Sequence, residues 1–161
     1  MALIKPNNNT ISAITALPAA IPTGKVLQVV STNKSDATNT TSTSYTDISG
    51  MSVSITPSSS SNKILVFFDV GIGSTQTARN DNIRLMRDST AIADPTNFMR
   101  TTNVGLMYNA SANFLDSPSS TSSLAYHLEW KTEGGDTIYL NRKGETTIRT
   151  TSTITVMEIA G

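Results

Sequence analysis

At 161 residues the chain is long enough to bury a core as one domain without covalent staples, and its lack of cysteine excludes disulfides and thiolate metal sites. Twelve basic and twelve acidic residues balance to a net charge of +0 and form no basic run, so nothing electrostatic favours nucleic acid or an anionic membrane. No apolar run approaches the ~20 residues of a membrane-spanning helix. The polar residues 5–10 interrupt any secretory leader, so a soluble chain used without signal-peptide export is expected.

Residues 1–24 differ from the rest. Ile11, Ile14, Leu17 and Ile21 recur at helical spacing, but Pro18 and Pro22 confine a helix to about two turns, which is marginal alone. The reading is an extended or briefly helical arm whose apolar residues need a partner surface. From Lys25 the register turns to β. Residues 26–32 read as a strand and 33–42 as a polar loop. Residues 44–48 lead to a turn at Ser49-Gly50, and Met51, Val53 and Ile55 alternate with polar residues in a half-buried strand that Pro57 ends.

Residues 63–74 form the most apolar strand. Ile64, Val66, Phe68, Val70 and Ile72 share one face, while Leu65 and Phe67 give way to Asp69, Gly71 and Gly73 on the other. That pattern suits the centre of a sandwich. Residues 75–81 read as a second polar loop, and strands over 82–87 and 90–93 flank Asp88-Ser89 as a hairpin. Residues 94–123 are the least regular, with one or two strands expected.

Leu124, Tyr126, Leu128 and Trp130 alternate with Ala125, His127, Glu129 and Lys131, and Gly134-Gly135 turns the chain into a strand over 137–141. An apolar strand over 152–159 closes the chain, central in a sheet or against a neighbouring subunit. The whole predicts an all-β protein, a jelly-roll-like antiparallel β-sandwich at 25–161 behind an extended N-terminal arm at 1–24.

Catalytic constellations are missing. His127 is the single histidine and falls on a polar strand face, which eliminates multi-histidine metal sites and leaves no base beside a nucleophile motif. There is no Gly-x-Ser-x-Gly, phosphate loop or dinucleotide fingerprint. Residues 79–82 lack the order of a calcium loop. Tyr45, Phe98, Tyr108 and Tyr139 suit buried ring packing better than a carbohydrate platform. The expectation is a non-enzyme with no catalytic residue, metal or cofactor. Long polar loops on a rigid β-scaffold suit recognition.

Residues 24–32, residues 42–57, Lys63-Ile64-Leu65-Val66, Phe114-Leu115-Asp116-Ser117-Pro118 and the closing residues 154–161 together resemble a family of small structural and fibre-tip proteins of tailed bacteriophages. The strand order is similar, more loosely, to trimeric jelly rolls of the tumour-necrosis-factor and complement-head type. The first resemblance implies a virion protein. The second implies a homotrimer with Ile154, Val156, Met157 and Ile159 near its threefold axis. The resemblance begins at Gly24. In fibre-like proteins the segment before the body commonly attaches to the virion, which makes Ile4, Ile11, Ile14, Leu17 and Ile21 the docking or trimerising residues.

Two uses follow. One is a short fibre or knob whose loops bind a host-surface glycan or protein, with Asn33, Asp36, Asn39, Gln76, Arg79 and Asp81 as receptor-loop candidates. The other is a capsid decoration protein that stabilises the head. A polysaccharide depolymerase would need paired carboxylates, and no spacing among Asp69, Asp81, Asp94, Asp116, Glu129 and Glu133 nominates a pair. Neither nucleic acid nor membrane insertion is expected.

Overall fold

The computed structural model describes residues 24–76, 79–93, 99–144 and 149–161. The expected arm, with Ile4, Ile11, Ile14, Leu17 and Ile21, and also Asp94 and Phe98, lie outside the described residues. Those described contain strands and no helix. The strands are β1 (Val26–Lys34), β2 (Thr38–Thr40), β3 (Thr46–Ile55), β4 (Lys63–Ser74), β5 (Arg79–Arg87) and β6 (Thr90–Ala93). They continue with β7 (Met99–Thr101), β8 (Tyr108–Asp116), β9 (Leu124–Thr132), β10 (Ile138–Leu140) and β11 (Ser152–Ile159).

β4 is central, as its two-sided apolarity predicts. One edge pairs β8 from Ile64 to Ile72, and the other pairs β11 from Lys63 to Asp69 and then β10 from Ile72 to Ser74. β1 and β2 lie outside β11 and β10 in the same succession. β1/β2 and β10/β11 are thus two interrupted strands. β6/β7 is a third, since both pieces pair β5. Eight strands remain, ordered 1-8-3-6 in one sheet and 2-7-4-5 in the other. Both sheets are antiparallel, and that order is a jelly roll.

The core lies between the sheets. Ile64, Val66, Phe68, Val70 and Ile72 of β4, Ile154 and Val156 of β11, and Ile138 and Leu140 of β10 meet Met51, Val53 and Ile55 of β3, Ile83 and Leu85 of β5, and Leu124, Tyr126, Leu128 and Trp130 of β9. Period-two alternation of β9 puts its apolar set inward without exception.

Three expectations need correction. The turn at Ser49-Gly50 is a bulge within β3: residues on both sides pair β9, the register slips between Asp47 and Ser52, and Gly50 supplies a φ of +82°. Half of the loop expected over 33–42 is strand, with Asn33 in β1 and Asn39 in β2. The loop expected over 75–81 ends early, because β5 begins at Arg79. In each case backbone pairing overrides a polar composition, as it can wherever one strand face is solvated.

The break in β10/β11 is stitched by Asn141, at φ +58°. Its side-chain NH₂ donates to Lys34 O at 2.7 Å and Asp36 O at 3.2 Å, and its Oδ1 accepts from Ser152 Oγ at 2.5 Å. Its own N–H donates to Gly71 O at 2.7 Å. The excursion between β10 and β11 lies over β4, where a Cβ on Gly73 would overlap Arg142 O and one on Gly71 would overlap Thr150. The bare end of the β4 stripe is therefore covered by the chain itself.

Candidate functional site

The sandwich has two unlike ends. β1 starts where β11 finishes: Val26 pairs Ile159, Ala160 N–H donates to Lys25 O, and Gly161 N–H donates to Asn62 Oδ1. The connections 56–62, 88–89 and 117–123 share this near end, where the chain leaves residues 1–24. The connections 41–45, 102–107 and 133–137 and residues 75–76 gather at the far end, with 35–37 interrupting β1/β2 just short of it. Thr75 N–H donates to Thr137 O and Thr132 N–H to Ser42 O, holding three of them together. Tyr108 OH accepts from the N–H groups of Thr102 and Asn103, pinning a fourth.

Among the receptor-loop candidates, Asn33, Asp36, Asn39 and Gln76 are exposed at or beside the far end. Asp36 is tied there to Lys34 Nζ at 2.8 Å, and the lysine lowers its pKa. Arg79 lies in β5, and Asp81 is buried at 2% exposure, so it is not a loop residue open to a receptor.

The two outward sheet faces also differ. Over β3, β9 and β5 the outward residues are Asp47, Ser52, Ser54, His127, Glu129, Lys131 and Arg84. Arg84 grips Glu129 Oε2 with Nε at 2.6 Å and Nη2 at 2.5 Å, and its guanidinium lies 4.0 Å from the centre of the Tyr45 ring. Asp47 Oδ1 is 3.3 Å from His127 Nε2. Asp47, His127 and Glu129 thus bring ligand atoms within 4.8 Å of one another. Spacing alone could not show this, because Asp47 comes opposite Glu129 only through the β3–β9 register. Arg84 already neutralises that carboxylate, so an added cation would have to compete with a fixed one.

Over β1, β11, β4 and β8 the outward face is apolar toward the near end and polar toward the far end, where Asn33, Thr153, Asp69 and Ser111 stand at one level. Val29 is 54% exposed, Leu115 51% and Phe67 38%, with Leu65, Met157 and Ile159 half-buried beside them. A shallow depression of about 310 Å³ borders Phe67, lined also by Asp69, Ser111, Asn113 and Thr153. Of the trimer-interface candidates, Met157 and Ile159 belong to this face. Ile154 and Val156 are fully buried in the chain's own core, because the strand period of two points them inward. They have no surface left for a neighbouring subunit.

The carboxylates weighed for a depolymerase sit in separate surroundings. Asp116 accepts from Arg87 and Tyr126, Glu129 from Arg84, and Asp69 from Asn109. Tyr45, in the 41–45 connection, lies under Arg84 of β5, and Tyr139, in β10, lies under Arg142.

No protein-family model matches the chain, and no curated protein does. Solved structures with similar folds include the VP2 subviral particle of infectious bursal disease virus, at 10% identity and a TM-score of 0.48 over 84% of this chain and 38% of that one. The Gx strain of the same virus matches at 9% identity and 0.41, over 84% and 37%. Dimeric latent PorU from Porphyromonas gingivalis also matches at 9% and 0.41, over 84% and 14%. The chain spans well under half of each. All three scores fall below 0.5, and the jelly roll stands on the strand order itself.

Proposed function

We propose that this chain is a non-enzymatic structural protein of a bacteriophage particle. It is a homotrimer, held to the virion by residues 1–24, and it presents the opposite end of its sandwich to the host surface. The observation that supports this reading most is the separation of the two ends: residues 1–24 lead into β1 at one, and four connections, three of them polar, gather at the other. A docked segment at the near end leaves the far-end loops pointing away from the particle. The resemblance of residues 24–161 to phage virion and fibre-tip proteins supplies the setting.

Electron cryomicroscopy of the intact particle tests the reading. Density at the tail, or at sparse head positions with the far end outward, fits an attachment knob. Density repeated on the capsid lattice fits the decoration role instead. Finding the chain in neither place overturns a virion role.

A further inference from the structure

We infer that the outward face of the β1–β11–β4–β8 sheet is the surface on which copies of this chain meet. The inference rests on the homo-oligomer of the proposed reading and deepens it by naming the contact.

The residues stand in one row by backbone register. Val29 pairs Met157, Met157 pairs Leu65, and Leu65 pairs Leu115, so four apolar side chains cross the sheet at one level. Phe67 stands two residues along β4, and Ile159 flanks the row on the other side. An antiparallel sheet that faces water alternates apolar inward with polar outward, as β3 and β9 do. Around this row the sheet is apolar on both faces, and only toward the far end do Asn33, Thr153, Asp69 and Ser111 restore a polar outer face. Contiguous exposed apolar surface of this kind marks an interaction site.

Size and charge favour a second copy over an unrelated partner. Four strands at about 4.8 Å spacing and seven residues at about 3.4 Å rise give a plan area on the order of 450 Å². The corrugated surface and a polar rim bring that toward the ~800 Å² per partner of a stable interface. The row itself holds no charge; Lys63 and Asp69 stand at its margins, and Asp69 accepts from Asn109 at 2.7 Å. Symmetric contacts bring equivalent patches together, so a central charge would face its own kind. A foreign partner is ordinarily met with complementary charge, which this face does not offer.

The chain has no cysteine, so single thiols report cleanly. Leu115→Cys and Asn113→Cys place a thiol on this face, and the exposed Ser54→Cys places one on the other sheet. The full-length variants are measured for mass by light scattering and for maleimide labelling at micromolar concentration. The expected result is an oligomer in which both thiols on this face label at least tenfold slower than Cys at 54. Leu65→Lys with Leu115→Lys should give a monomer that retains its strand circular dichroism and cooperative unfolding.

A trimer with protected thiols supports both the inference and the proposed reading. A dimer with protected thiols supports the inference and removes the homotrimer. An oligomer whose thiols all label alike places the contact elsewhere and overturns the inference. So does a monomer: with free thiols the face is open, and with protected thiols residues 1–23 of the same chain cover it. Whether the protein occurs in particles is decided separately.

Discussion

Glu158 is 1% exposed, and a carboxylate removed from water needs donors. Burial alone would raise its pKa. Asn62 and Gln28 side chains, with the N–H and hydroxyl of Ser58, outweigh that and hold it at about 2. The folded value lies below the ordinary 4.5, so ionised Glu158 contributes fully above pH 4.5, and that contribution is lost as pH falls toward 2. Glu158→Ala should cost about 3 kcal/mol at pH 7, because buried donors lose a charged acceptor. Urea unfolding of both proteins should show that difference narrowing between pH 4.5 and 2.5; a constant gap would mean the charge plays no part. Asp116 is a second such hub, accepting both its carboxylate bonds from Arg87 Nη1 at 2.7–2.8 Å and one from Tyr126 OH at 2.7 Å. Burial first, then that bond to Asp116, raises the Tyr126 pKa. Asp116→Ala should cost about 2–3 kcal/mol, at the low end of a broken buried pair because Arg87 keeps some access to water. Tyr126→Phe should cost about 1.5 kcal/mol. An unfolding midpoint lowered more by the tyrosine change than by the aspartate change would contradict the hub. Neither hub was legible in the sequence, since Glu158 and Asp116 find their partners across strands that only the fold brings together.

Among the elements, the interrupted strand β10/β11 is held across its break by Asn141. Two requirements fall on it: a left-handed backbone and a side chain that bridges β1 to Ser152. Asn141→Gly keeps the first and loses the second, while Asn141→Ala loses both. The glycine variant should lose about 2 kcal/mol from unmade buried hydrogen bonds, and the alanine variant about 1 kcal/mol more from strain at positive φ. Equal Tm values for the two would show that backbone conformation does not matter there. β4 and the hairpin over Asp88-Ser89 were legible because their periodicity and turn chemistry agree with their pairing. β2 and the start of β5 were not, since Thr38–Thr40 and Arg79–Asp81 carry loop-like polar residues and are strands only by their neighbours. The last strand was legible as central, but not which of its faces is the core: Ile154 and Val156 alternate with Met157 and Ile159, and both sets are apolar. Burial of Ile154 and Val156 leaves Met157 and Ile159 as the apolar residues of β11 with exposed surface.

At the scale of the molecule, the function we propose divides between the end where β1 begins and the end where the loops gather. Loop substitutions should alter host binding and leave attachment to the particle intact. Asn39 is exposed within β2 and Asp36 and Gln76 project from connections at or beside the far end, so replacing them by alanine removes no core contact. Asn39→Ala and Gln76→Ala should each change stability by no more than about 0.5 kcal/mol, as at other surface positions. Nearly all of the cost should come from Asp36→Ala, which takes the 2.8 Å ion-pair partner from the buried Lys34. In the trimer we propose, three copies acting together make attachment multivalent, so a modest loss per copy is amplified in the assembly. Purified full-length protein added to host cells before phage should therefore slow adsorption by occupying receptors. The triple variant Asp36→Ala, Asn39→Ala, Gln76→Ala, folded by circular dichroism and equal in mass, should block at least tenfold less well at the same concentration. Equal blocking would move the receptor contact off these loops. If neither protein slows adsorption, while particles lacking the protein lose infectivity on mild heating, the chain acts as a decoration that stabilises the head, and the far-end loops are free of any receptor.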